Sequence, residues 1–113
     1  MKQVYEIEIY EDEKGKSPFS DWISGIKDLK SRAKIQARLD RIEFGNFGDA
    51  KPITGAKGIY ELREHYGQGF RVFYTKIGKK VVLLLAGSTK KDQNKTITKA
   101  KEYLADYERR SKP

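Results

Sequence analysis

Tyr5, Ile7 and Ile9 alternate with Glu6, Glu8 and Tyr10, a period of two that predicts a half-buried strand. An acidic stretch ends it at Gly15. Ser17-Pro18 then reads as a helix start, with serine as N-cap, proline at the first helical position and Asp21 in the first turn, where a negative charge suits the helix dipole. Phe19, Trp22, Ile23 and Ile26 form that helix's apolar stripe. A second helix is predicted over residues 31–44, burying Ile35, Leu39 and Ile42 while Lys34, Arg38 and Arg41 face outward, with Gly45 just past its end. Residues 45–58 read as a glycine-rich connection carrying Lys51 and Lys57. Strand signals follow at residues 59–66 and 70–76, joined by Gly67-Gln68-Gly69 as a hairpin turn, and at residues 81–86 after Gly78-Lys79-Lys80. The run Val81-Val82-Leu83-Leu84-Leu85 has no polar alternation, so this strand is predicted to be central and covered on both faces. A last helix from Asp92 places Ile97, Ala100, Leu104 and Tyr107 at helical spacing, and Arg109, Arg110 and Lys112 follow as a frayed tail.

The element order is therefore β-α-α-β-β-β-α, an α+β chain with a short, mainly antiparallel sheet. The two N-terminal helices are expected on one face. The opposite face is then expected to stand open, concave and charged.

Composition sharpens this picture. At 113 residues the chain fits one domain spanning residues 1–113. Lys and Arg number 24 against 16 Asp and Glu, a net charge of +8. Residues 1–13 hold five acids and one base, which leaves 23 bases and 11 acids, or +12, on residues 14–113. So positive a small domain is expected to attract a polyanion. With no cysteine and one histidine, His65, neither a disulfide framework, a thiolate metal site nor a clustered histidine site can be built. No signal peptide or membrane-spanning run is recognisable, so a cytoplasmic address with no membrane partner is expected.

In the strand over residues 59–66, Glu61, Arg63 and His65 point the same way, because successive side chains alternate. In the next strand Val72 and Tyr74 look core-facing, which turns Arg71, Phe73 and Thr75 to the other side. Arg63, Arg71 and Glu61 are thus expected to share the open face; a cross-strand ion pair is the alternative reading of the same pattern. Lys90 and Lys91 lie in a polar loop directly after the central strand, a suitable place for a phosphate contact. Phosphate-binding loops, serine nucleophile elbows and acidic clusters for two magnesium ions are absent. Nuclease chemistry here would be metal-independent and would need no cofactor. RNA permits this, because its own 2′-hydroxyl can attack the adjacent phosphate while the protein orients the backbone and stabilises charge.

Gly58-Ile59-Tyr60-Glu61-Leu62-Arg63, Gly69-Phe70-Arg71-Val72-Phe73-Tyr74, Leu83-Leu84-Leu85-Ala86-Gly87 with Lys90 and Gln93, and Ile97 to Tyr103 form an ordered set. Together with Pro18-Phe19 and Trp22, it resembles the addiction-module killer proteins, the phage-related, HigB-like branch of the RelE/ParE toxin superfamily. The resemblance implies a RelE-like fold and the toxin role in a type II toxin–antitoxin system. It implies a cognate antitoxin, a small helix-turn-helix protein through which alone operator DNA would be bound, and ribosome-dependent cleavage of messenger RNA. By position, Arg71 matches the family's arginine in an Arg-hydrophobic-x-Tyr strand, Arg63 a basic position on the preceding strand, and Lys90 a basic residue after the last strand. Glu61 or His65 would serve as base and Lys90 as acid, with Lys51, Lys57, Lys91 and Gln93 as RNA contacts. One departure stands out: Ile97 occupies the neighbourhood where the resemblance leads one to expect a tyrosine. A ParE-like gyrase inhibitor, or an inactive toxin serving as a nucleic-acid-binding or regulatory module, would share the fold. Arg71→Ala is expected to abolish toxicity with little loss of stability, on the reading that Arg71 makes no core contact.

Overall fold

The computed structural model describes residues 2–112. Its elements are β1 (Glu6–Ile9), α1 (Pro18–Ser24), α2 (Leu29–Ile42), β2 (Ala50–Pro52), β3 (Tyr60–Glu64), β4 (Phe70–Ile77), β5 (Val81–Thr89) and α3 (Gln93–Ser111). A 3-10 turn, Lys90–Asp92, leads from β5 into α3. The strands form one sheet in the order β1-β5-β4-β3-β2. β1 runs parallel to β5, with Glu6 opposite Val81 and Ile9 opposite Leu84, and the other pairings are antiparallel.

The local signals act as predicted at most element ends. Ser17 Oγ accepts from the Ser20 N–H at the start of α1, and Pro18 fills the first helical position. The second helix begins two residues earlier than its apolar pattern suggests. Asp28, not a residue near 31, is its cap: one carboxylate oxygen accepts from the Lys30 N–H and the other from Ser31 Oγ. The tail is no tail. α3 continues to Ser111, and Arg109 and Arg110 both pair with Asp106 one turn back.

Two differences from expectation shape the site. The glycine-rich connection contains a fifth strand, β2, which pairs with β3 so that Lys51 lies opposite Glu61. Three residues including a proline carry no readable strand pattern; the strand persists because it is an edge, where proline is tolerated. Second, the face opposite the N-terminal helices is open only in part. α1 and α2 cover one face through Phe19, Ile35, Leu39 and Ile42 against Leu62, Val72, Tyr74, Val82 and Leu84. α3 covers β4 and β5 on the other through Ala100 and Leu104 against Ile59, Phe73, Leu83 and Leu85. The unbroken apolar run of β5 requires this, since each of its faces needs a partner.

A β-bulge at Phe73/Tyr74 sets the phase of the sheet. Phe73 lies opposite Ala86 but Tyr74 opposite Leu84, so Leu85 is the extra residue. Leu83, Leu85 and Ala86 consequently all belong to the core beneath α3. Gly87 turns toward α1, where a Cβ would fall 2.1 Å from the Trp22 ring, so only glycine lets that ring lie on the strand. At the far end, the buried Tyr10 hydroxyl donates to Asp106 Oδ2 at 2.6 Å, tying the end of β1 to α3. Burial, reinforced by that carboxylate, pushes the Tyr10 phenol up to about 12. No helix among the described residues is long and apolar enough to cross a membrane.

Candidate nucleic-acid interface and active site

Register across the sheet builds the site. Arg63 on β3 lies directly opposite Arg71 on β4, and Arg71 opposite Ser88 on β5. Directly opposed residues share a face, so one row runs Arg63, Arg71, Ser88. The next row runs Lys51, Glu61, Phe73, Ala86. Both rows lie on the face that α3 half covers: its helical body seals the Phe73 end, and its first turn reaches Glu61 through Gln93.

Two guanidiniums placed opposite each other repel unless each has an anion. Arg63 takes Asp49, donating from Nε at 3.1 Å and Nη2 at 2.8 Å to the same oxygen. The Arg63 N–H also donates to the Asp49 carbonyl at 2.9 Å, which extends the β2–β3 ladder by one step. The second Asp49 oxygen lies 2.6 Å from His65 Nε2. The His65 and Arg63 hydrogen bonds together hold the Asp49 carboxyl down to about 2, and Asp49 in turn raises the Arg63 pKa. His65 itself remains open to water, its side chain 69% exposed.

Arg71 has a different setting. It is 5% exposed, and its nearest anion, Glu61, is 3% exposed. Arg71 Nε lies 3.9 Å from Glu61 Oε2, beyond hydrogen-bond length. That oxygen instead accepts from Gln93 Nε2 at 2.7 Å, from the first turn of α3. Arg71 Nη1 donates to the Phe70 carbonyl at 3.1 Å. Arg71 Nε is the one buried side-chain donor without an acceptor among the described residues. An unmet buried donor costs about 1–3 kcal/mol, and an oxyanion entering the row would satisfy it.

Of the remaining expected residues, Lys90 and Lys91 are exposed on the 3-10 turn. The Lys90 N–H donates to the Gly69 carbonyl at 3.0 Å, docking this turn on the β3–β4 hairpin. Gly69 permits the approach: its φ is +87°, and a Cβ there would stand 3.3 Å from Lys90 Cβ. Lys51 is exposed on β2 beside Glu61. Lys57 is not brought in; it precedes β3, a strand's length from the Gly69 turn. Gln93, expected to touch RNA, is engaged with Glu61. No tyrosine occupies the first turns of α3; Tyr103 stacks on Tyr10 at 5.1 Å, far along the helix. Sequence reasoning missed Asp49 altogether, because it lies in the connection that showed no strand.

The expectation that Arg71 makes no core contact is corrected. It is buried beside a buried carboxylate, and its removal leaves Glu61 without its cation in a low-dielectric setting.

The chain matches the model of the family described as phage derived protein Gp49-like (DUF891) over residues 21–107. It is 46% identical over 83 residues to an uncharacterized protein of Haemophilus influenzae strain Rd, covering 74% of this chain and 82% of that protein. Among solved structures it is similar to an arginine-to-alanine double mutant of the E. coli toxin RelE in the free state. That match has a TM-score of 0.65 at 17% identity, and covers 88% of this chain and 96% of the other.

Proposed function

The chain belongs to the phage-derived Gp49-like family of RelE/ParE-like toxins, and from that membership we propose that it is the toxin of a type II toxin–antitoxin pair that cuts messenger RNA on the ribosome without a metal ion. The observation that carries this reading is the Arg63–Arg71 row with the unused buried Nε donor of Arg71. A planar guanidinium donates two parallel hydrogen bonds to phosphate oxygens. At a scissile phosphate, Arg71 stabilises the charge that grows as the 2′-oxygen bonds to phosphorus and the 5′-oxygen leaves. His65, oriented by Asp49, accepts the 2′-hydroxyl proton. Lys90, carried by the docked turn, donates one to the departing 5′-oxygen. Lys51 and Lys91 hold flanking phosphates. The products are a 2′,3′-cyclic phosphate and a 5′-hydroxyl. The work is done in the cytoplasm, where a cognate antitoxin masks the row.

Primer extension on a message translated in vitro tests this. Codon-phased breaks with 2′,3′-cyclic or 3′-phosphate ends are expected, and gyrase supercoiling stays unaffected. An intact message with inhibited supercoiling would mean a ParE-like gyrase poison. A 3′-hydroxyl with a 5′-phosphate would mean metal-type hydrolysis.

A further inference from the structure

A cleft of about 650 Å3 opens between the end of α1, the start of α2 and the β3–β4 turn, on the face of the sheet away from Arg71. Its floor is apolar and aromatic: Trp22 and Phe70 meet with ring centroids 6.3 Å apart at 62°, and Ile26 flanks them. Trp22 is only half buried, and its ring is seated by the absence of a side chain at Gly87. The floor is therefore preorganised. At the lip stands the exposed carboxylate of Asp21. Asp28, also at the lip, is already committed to capping α2.

Cations bracket the cleft. Lys27 lines one side. Thr89 lines the other, and Lys90 and Lys91 follow it directly. Lys30 and Lys34 reach over the Tyr66 ring, at 5.6 and 5.5 Å, beside the same hairpin turn. An aromatic floor flanked by lysines is the arrangement that binds single-stranded nucleic acid, with a base stacked in the middle and phosphates at the sides. Lys90, next in sequence to the cleft-lining Thr89, is also the proposed proton donor, so one strand of RNA can run from the cleft to the catalytic site.

We infer that the cleft is a nucleobase subsite for single-stranded RNA, stacking an unpaired base on Trp22 and selecting guanine through Asp21. The inference rests on the reading of the protein as acting on RNA. Guanine is the base whose Watson–Crick edge presents adjacent N1–H and N2–H donors, which one carboxylate accepts together. A bidentate pair of this kind discriminates against other bases roughly tenfold or more.

Trp22 is the only tryptophan, so its emission reports the cleft directly. The experiment titrates the whole protein with a hexaribonucleotide containing one guanosine among uridines, with the all-uridine hexamer, and with inorganic polyphosphate. Anisotropy of fluorescein-labelled copies measures total RNA binding in parallel. Saturable quenching of Trp22 by RNA but not by polyphosphate is expected, with the guanosine hexamer binding at least tenfold more tightly. Asp21→Asn should erase that preference and keep the quenching, with thermal unfolding lowered only slightly, by the loss of one helix-dipole charge in the first turn of α1. RNA binding by anisotropy with unchanged Trp22 emission overturns the inference and leaves the cleft to a protein partner, while primer extension still judges the nuclease reading separately. Equal quenching by polyphosphate, or no RNA binding at all, overturns it as well. A guanosine preference that survives Asp21→Asn removes Asp21 from the assignment.

Discussion

Arg63 and Arg71 face each other across β3 and β4, and each has a carboxylate, yet the two pairs are built for different conditions. Arg63 and Asp49 meet at 2.8 Å with side chains 30% and 37% exposed. Arg71 and Glu61 stand 3.9 Å apart with side chains 6% and 3% exposed. The open pair has ideal contacts and gains little from them, because water and salt screen it. The closed pair has poor contacts and a large dependence on them, because neither charge has water to fall back on. Removing one partner of the closed pair therefore costs far more stability than removing one partner of the open pair.

The largest effect expected is that of Arg71→Ala. It leaves Glu61 buried without its cation, which typically costs about 3–5 kcal/mol. Removing a phosphate-binding donor costs roughly 10²–10³ in rate as well. A denaturant midpoint and a growth-arrest assay would both fall. Combining Glu61→Leu with Arg71→Met separates the two losses: chemical denaturation should return near the parent value, because apolar replacement of a buried pair is near neutral, while growth arrest stays absent. A double variant that still arrests growth removes Arg71 from the chemistry.

Next in size is Gln93→Ala, which strips the hydrogen bond from the buried Glu61 carboxylate. A bond to a charged group is worth about 1.5–3 kcal/mol, so a clear drop in unfolding midpoint is expected. If Gln93 instead acts only on RNA, stability will not move.

Asp49→Asn should reverse the pattern. Melting temperature should hardly change, since the pair is open to water. Cleavage should slow as His65 loses its orienting carboxylate, by less than the roughly 10²–10⁴ that a missing acid–base group costs. A single-turnover assay on programmed ribosomes measures it, and a large drop in melting temperature would count against the comparison.

The smallest effect is in acid. The folded-state pKa of Asp49 is lowered, to about 2, below the roughly 3.9 of an unfolded aspartate. Its contribution is thus complete above pH ~4 and is lost as pH falls from there toward 2. Between those limits the unfolding curve of Asp49→Asn should be shallower than that of the parent protein. Identical acid curves would mean that Asp49 is not clamped in solution.

Much of this chain was determined by the order of its residues. Ser17-Pro18 starts a helix by local capping alone, the alternation of residues 59–66 and 70–76 makes a hairpin, and the period of Ile97, Ala100 and Leu104 makes a helix with one apolar stripe. These are short-range effects, in which a residue's own hydrogen bonds and neighbours decide. Arg63 and Arg71 sharing a face follows from the same period of two. What only the tertiary structure decided concerns contacts between distant segments. β2 exists because β3 offers it a ladder, so the partner Asp49 of Arg63 and His65 could not be read from its glycine-rich surroundings. α3 lies over β4 and β5 and puts Gln93 on the buried Glu61 carboxylate beside Arg71. The apolar run of β5 demanded a second cover, yet nothing local named the helix that supplies it. Burial is a property of what packs on a residue, and Glu61 takes its hydrogen bond from a helix that begins more than thirty residues away in the chain.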